Sequence, residues 1–187
     1  MTIKNFDGGL DLAGSSPVSV YVGIDQSYSG FAITLLGKDN AFFTQVFKSD
    51  LRGIDRLVEI RAFLSNVLFD TPIKILDVAM EDYAYAGSGR VFHLGELGGM
   101  VKLECHASGH YPLLVPPTSL KKYVTGKGTG IQKNQMLLHI YKKWGVEFTD
   151  DNAADSYSLA RVVSGKHELA YEKDVYDKLQ DVKHRER

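Results

Sequence analysis

The spacing of hydrophobic positions changes along the chain from a strand pattern to a helical one and back. Ser19–Ile24 (SVYVGI), Gly30–Leu36 (GFAITLL) and Ala41–Phe47 (AFFTQVF) are β-branched and aromatic runs, and each predicts a strand. Ser27-Tyr28-Ser29 and Gly37-Lys38-Asp39-Asn40 between them are turn chemistry, so the three runs predict an antiparallel meander. From Ile54 the period becomes helical: Ile54, Leu57, Val58, Ile60, Phe63, Leu64 and Val67 recur with Arg56, Glu59 and Arg61 between them. Asp70-Thr71-Pro72 stops that helix. Ile75–Met80 (ILDVAM) is a buried-strand run that ends at Glu81.

Val91–Ala107 predicts a second helix carrying Gly95, Gly98 and Gly99. Glycines weaken a helix, so their presence implies close approach by another backbone. Leu113–Val115 is a short strand closed by Pro116-Pro117, and Thr118 or Ser119 is the expected cap of a short helix carrying Lys121 and Lys122. Gly126–Gly130 is a glycine-rich loop. Gln132–Trp144 predicts a third helix ended by Gly145, and Asp150 or Asp151 caps a fourth from about Asn152 to Ser164. The order β-β-β-α-β-α-β-α-α predicts an α/β protein of RNase H-like fold. Its mixed five-stranded sheet has three antiparallel strands, then two parallel ones, flanked by helices. Residues 1–17, with Gly8, Gly9, Gly14, Ser15 and Ser16, read as a flexible lead, residues 18–165 as the domain, and the charge-alternating residues 166–187 as a solvated helix or mobile tail.

At 187 residues the chain is long enough to bury a core without disulfides or metals. Its one cysteine, Cys105, excludes a disulfide framework and a Cys-rich zinc site. No apolar run approaches the length of a membrane span, and Met1–Pro17 lacks the pattern of a secretory signal. The net charge of −1 hides an uneven distribution. From Cys105 to Val146 there is no Asp or Glu, while Lys121, Lys122, Lys127, Lys133, Lys142 and Lys143 fall there. A basic segment attracts polyanions, and isolated acids among apolar strands attract cations. The plainer alternative is a solvated lysine face with scattered surface acids.

Asp25 follows directly on an apolar strand, where Asp is a poor residue. An acid at the end of a buried strand is costly unless it is paired or binds a cation. Glu81 repeats the situation after ILDVAM. Asp151 and Asp155 lie four apart at a helix start and so share one face. Carboxylates placed this way form an oxygen-rich cage of the kind hard Mg²⁺ or Mn²⁺ prefers. Two such ions activate water and stabilise the leaving oxygen in phosphodiester hydrolysis. Singly, these acids read as a turn Asp, a strand-end Glu and an N-cap Asp; together, in this order, they favour the metal reading. Gly126–Gly130 lacks the P-loop pattern, so no nucleotide cofactor is expected. His93, His106, His110 and His139 have no metal-ligand spacing. Cys105 reads as core, and Ser156 has no evident His/Asp partner.

Five segments resemble the RuvC-like Holliday junction resolvases of the RNase H superfamily, in their phage-type form: GIDQSYSGFAI, AMEDYAYAG, HLGELGGMVKLECHASG, PPTSLKKYVTGKGTGIQKNQML and DDNAADSYSLA. The resemblance spans about Val18 to Val163. It implies a crossover junction endodeoxyribonuclease that cuts four-way DNA with Mg²⁺ or Mn²⁺, two ions per active site. It implies a homodimer, because paired symmetric cuts need two active sites. It also implies residence in the cytoplasm of a bacterial cell or phage-infected host, away from membranes.

By position, the resemblance makes Asp25 the first metal acid, Glu81 the second and Asp155 the last. The family's last motif is often Asp-x-x-Asp, which places an Asp where Asn152 stands. Asp151, one residue earlier, is taken as the further catalytic ligand, with Asn152 as the alternative. Lys121, Lys122, Lys127 and Lys133 resemble the family's DNA contacts, Lys133 being the catalytic candidate nearest the scissile phosphate. Tyr83 and Tyr85 lie where the family carries an aromatic that wedges into the junction; packing beneath their own loop is the equal alternative. Arg90 is a phosphate contact or a solvated side chain. Residues 94–109 are a candidate dimer contact or an internal one. Rival functions are a broader branched-DNA nuclease and a non-catalytic DNA-structure-binding protein, the latter disfavoured because Asp25, Glu81 and Asp155 are all present. An ATPase of the actin or sugar-kinase type needs two such lobes, and the chain is too short for them.

Overall fold

The computed structural model describes residues 1–14, 16–83 and 91–185. Six strands form one mixed sheet: β1 (Thr2–Gly8), β2 (Val18–Asp25), β3 (Phe31–Gly37), β4 (Phe42–Lys48), β5 (Ile73–Glu81) and β6 (Leu113–Val115), in the order β1-β4-β3-β2-β5-β6. The meander β2-β3-β4 is antiparallel, and β5 and β6 join parallel, as expected. The count is six rather than five. Thr2–Gly8, within the residues read as a flexible lead, pairs antiparallel with β4 from Thr2↔Lys48 to Gly8↔Phe42. Most of β1 is exposed and only Phe6 packs against the core. An edge strand held by backbone pairing shows no apolar alternation for a sequence to display.

The alternation of side chains along the strands builds two cores. On one face, Val20, Val22, Ile24, Phe31, Ile33, Val78 and Met80 meet α1 (Gly53–Ser65) and α2 (Val91–Ala107). Ile60, Phe63 and Leu64 of α1 are buried there, whereas Ile54 and Val58, which share its helical period, stay exposed. On the other face, Ala32, Leu36, Ala79, Leu113 and Val115 pack with α3 (Pro117–Thr125), α4 (Lys133–Trp144), α5 (Asp151–Val163) and α6 (Ala170–Leu179). The period of two that sends Val22 and Ile24 one way sends Gly23 and Asp25 the other. Ala79 and Glu81 follow the same rule.

α5 lies directly on β2. A Cβ at Gly23 would collide with the Ser156 carbonyl oxygen and the Ala160 nitrogen, so only glycine admits the helix at this depth. Thr34, Thr44 and Ser156 satisfy one another's hydroxyls beneath it, at 2.7 and 2.9 Å. Asp150 caps α5, accepting from the Asn152 and Ala153 N–H groups. The start of α3 differs from the expectation. Pro116 is its N-cap and Pro117 its first residue, with no cap bond from Thr118 or Ser119, because proline's fixed φ already suits a first helical turn. Within the tail, Ala170–Leu179 is a helix whose Val175 and Leu179 are buried, and Lys143 pairs with its buried Glu172. Cys105 is core, and burial pushes its thiol up to about 12.

Candidate active site

Because β2 and β5 run parallel, their last residues, Asp25 and Glu81, emerge at the same edge of the sheet. The Gln26 side-chain amide donates to the Glu81 carbonyl oxygen at 2.7 Å and ties the two strand ends together. α5 crosses the same edge, and its first turns carry Asp151 and Asp155. A cavity of about 160 Å³ opens between these elements. Glu81, Asp151 and Asp155 line it together with Lys121 and Lys133, the last paired directly with Asp151. Asp25 lies deeper, 3% exposed.

Electrostatics binds these acids into one unit. Burial raises the Asp25 carboxyl well above its ordinary range, and Glu81, Asp155 and Asp151 raise it further against one backbone N–H from Ser27. Burial and then Asp155 push Glu81 up to about 8, with Lys121 opposing and Asp82 adding. Burial and then Asp151 push Asp155 up to about 7, opposed by Lys133 and Lys121. Asp151 goes the other way: burial works to raise it, but the ion pair with Lys133 holds it below the usual carboxylate range. The Lys133 ammonium is raised in turn, first by its bond to Asp151. Among the described residues no three such groups stand in a ready-made coordination shell. The donor set is all oxygen, and burial first, then mutual repulsion, drives Asp25, Glu81 and Asp155 to hold protons. A divalent cation is the species that relieves this charge, so the residues fit hard Mg²⁺ or Mn²⁺.

The expected site residues divide into three groups. Asp25, Glu81, Asp151, Asp155, Lys121 and Lys133 come together at the cavity and the strand ends beneath it. Asn152 does not line the cavity; its amide donates to Asp150 Oδ1 at 3.3 Å and packs against Gly30 in the β2–β3 turn. Lys122 pairs with Asp174 of α6 at 2.5 Å, and Lys127 is exposed beyond the cavity. Tyr83 is half-buried against α2, where a Cβ at Gly98 would collide with its hydroxyl, and Lys102 sits 5.3 Å from its ring centre. Tyr85 and Arg90 lie outside the described residues. Sequence reasoning assigned no role to Gln26 or the Ser27 N–H; their place directly after Asp25 was the available signal.

No family sequence model matches the chain, and no curated protein matches it by sequence. Solved structures do. Thermus thermophilus RuvC superposes with a TM-score of 0.60 at 19% identity, over 87% of this chain and 96% of that one. T. thermophilus RuvC in complex with a Holliday junction substrate superposes with a TM-score of 0.62 at 16% identity, over 88% and 96%. The chain has the RuvC fold. At this identity the likeness lies in the backbone. The RuvC-like, RNase H-like architecture expected from the motifs is present, with β1 as the added edge strand.

Proposed function

We propose that this protein is a divalent-cation-dependent endonuclease that resolves four-way DNA junctions by paired phosphodiester hydrolysis. The observation that carries the reading is the convergence of Asp25, Glu81, Asp151 and Asp155 at one sheet edge of a RuvC fold, with Lys121 and Lys133 lining the same cavity. Asp25, Glu81, Asp151 and Asp155 would hold Mg²⁺ or Mn²⁺, two ions in all. When bound, such ions supply charge neutralisation and an activated water for in-line attack on phosphorus. Asp25 and Glu81 are held rigidly at strand ends, so their oxygens need little reorganisation. Asp151 and Lys133 neutralise each other in the free protein; an arriving phosphate competes with Asp151 for that ammonium. Lys121, also lining the cavity, opposes the charge of Glu81 and Asp155 and is available to a second phosphate oxygen.

Branched DNA as the partner is supported by the junction-bound RuvC of the same fold. Two symmetric cuts require two active sites, hence a homodimer. α2 offers a face for it: Phe92 and Leu103 are exposed, and Gly95 and Gly99 have open space where a Cβ would stand. Among the described residues no helix is long and apolar enough to cross a membrane, which is compatible with the proposed action on DNA in the cytoplasm of a bacterial cell or phage-infected host.

The deciding experiment incubates the protein with a labelled four-way junction, a Y-fork, a flap and a duplex, with Mg²⁺ or Mn²⁺. Paired nicks confined to the junction support the reading. Equal cutting of all branched forms replaces it with a general branched-DNA nuclease. Binding without cutting leaves only a structure-specific binding protein.

A further inference from the structure

The β2–β3 turn also forms the wall of a second and larger cavity. It lies between that turn, the start of α1 and the first turn of α2, and its volume of about 690 Å³ falls within the range of small-ligand sites. The Tyr28 and His93 rings stand 5.7 Å apart at 32° in it. Arg56 fixes the tyrosine: its guanidinium lies 4.8 Å from the Tyr28 ring centre and donates to the carbonyl oxygens of Tyr28 at 3.0 Å and Ser49 at 2.6 Å. Arg52 is exposed on the same wall and makes no ion pair among the described residues. The charged lining residues are Arg52 and Arg56, both cationic. The acids nearest in sequence are Asp25, held by the Ser27 N–H; Asp50, exposed 3.9 Å from the Met1 amino group; Asp55, exposed in the first turn of α1; Glu59, which accepts from the Ser49 hydroxyl; and Glu96, which engages His93 at 3.5 Å. Ser27 belongs to this lining and its N–H holds the Asp25 carboxylate, which links this cavity to the acids of the first.

We infer that this cavity binds an unpaired nucleotide of the strand whose neighbouring phosphate lies over the acids. The base lies against Tyr28 and His93, and its phosphate meets Arg52. An aromatic pair offers π-faces to any base, but a base stacked in a duplex has both of its own faces covered. A cavity of this size therefore selects a nucleotide already splayed from its helix, as at a strand crossover. The fixed Arg56 keeps Tyr28 in place before binding, which lowers the ordering cost of capture. The direction of the strand over the acids rests on the nuclease reading; the nucleotide chemistry of the cavity does not.

The test is titration of the full-length, isotope-labelled protein with the dinucleotide pTpT, without divalent cation, followed by NMR. The expected result is saturable shifts at Tyr28, Arg52 and His93, with affinity reduced at least fivefold in Arg52→Glu and in His93→Ala. Both positions are solvent-exposed, and well-dispersed spectra verify their folding. Shifts confined to α3 and α4, or unchanged affinity in both variants, would overturn the inference. On a four-way junction with Mg²⁺, Arg52→Glu is expected to raise KM about fivefold; a wild-type KM together with no pTpT shifts sinks the cavity reading while the nuclease stands. Wild-type protein that shifts with pTpT yet cuts no branched DNA supports the cavity and overturns the nuclease instead.

Discussion

The Lys133 ammonium, from the first residue of α4, pairs with the Asp151 carboxylate, from the first residue of α5. This contact gives two acids four residues apart on one helix opposite characters. Asp151 is held charged, while Asp155 is driven toward its protonated form. Replacing Lys133 with Met is expected to raise the Asp151 pKa, read by carbon-detected NMR titration. Junction cleavage should fall at least tenfold through loss of a phosphate partner. An unmoved Asp151 titration would rule out the pair in solution.

The raised carboxyls predict a pH dependence for the metal-free protein. Unfolded Asp and Glu titrate near 4. Glu81 and Asp155 titrate in the fold at about 8 and about 7. Groups with raised folded pKa values stabilise most fully below pH 4, and that contribution is lost as pH rises through 7 to 8. Melting in chelator from pH 5 to 9 should show wild type losing stability relative to Glu81→Gln, by at least about 1.4 kcal/mol, the worth of one pKa unit. The same linkage makes Mg²⁺ binding release protons near neutrality. Parallel melting curves would contradict the assignment.

Among the acids, Asp25→Asn, Glu81→Gln and Asp155→Asn should each lower cleavage at least a hundredfold, about 2.7 kcal/mol of transition-state stabilisation, while junction binding by the lysines persists. Asp151→Asn should be nearly as damaging and Asn152→Ala far milder, since Asp151 lines the cavity and Asn152 turns to Asp150. Cleavage rate against Mg²⁺ concentration checks all five. If Asn152→Ala proves the worse of the last two, the fourth position belongs to Asn152.

The neighbouring lysines separate in the same way. Lys121→Ala should reduce the log–log salt slope of DNA binding by roughly 0.9, one phosphate contact. Lys122→Ala should leave that slope nearly unchanged, removing only an exposed pair with Asp174 of little worth to stability. Anisotropy titrations from low to high salt decide it; equal slopes for both variants would show that Asp174 does not hold Lys122 back.

Gly23→Ala should destabilise the fold by about 1–3 kcal/mol, the usual cost of overpacking, because its methyl meets the backbone of α5 rather than a side chain that can rotate away. Urea unfolding measures this. A neutral result would mean that α5 does not sit on β2 at this depth.

Much of this architecture was legible in the residues because its causes are local. Periods of two and of about 3.6 announce β2 to β6 and most of the helices. Gly145 ends α4 and Asp150 caps α5 through bonds made within a few residues. Asp25 and Glu81 stood out because a carboxylate at the end of an apolar strand needs a reason. β1 escaped notice because its stability comes from ladder bonds to β4, which leave no apolar signature. The packed Val175 and Leu179 of α6 were masked by the alternating charges around them.

The sequence by itself determined that carboxylates stand at two strand ends and a helix start, and that a lysine-rich segment precedes that helix. Only the tertiary structure decided which of them meet. The depth of α5 on Gly23 sets Asp155 beside Glu81. The approach of α4 to α5 gives Lys133 to Asp151, and the docking of α6 gives Lys122 to Asp174. These pairings bring together charges 18 and 52 positions apart along the chain. Coulomb energy is set by ångströms and dielectric, which no spacing along the chain encodes.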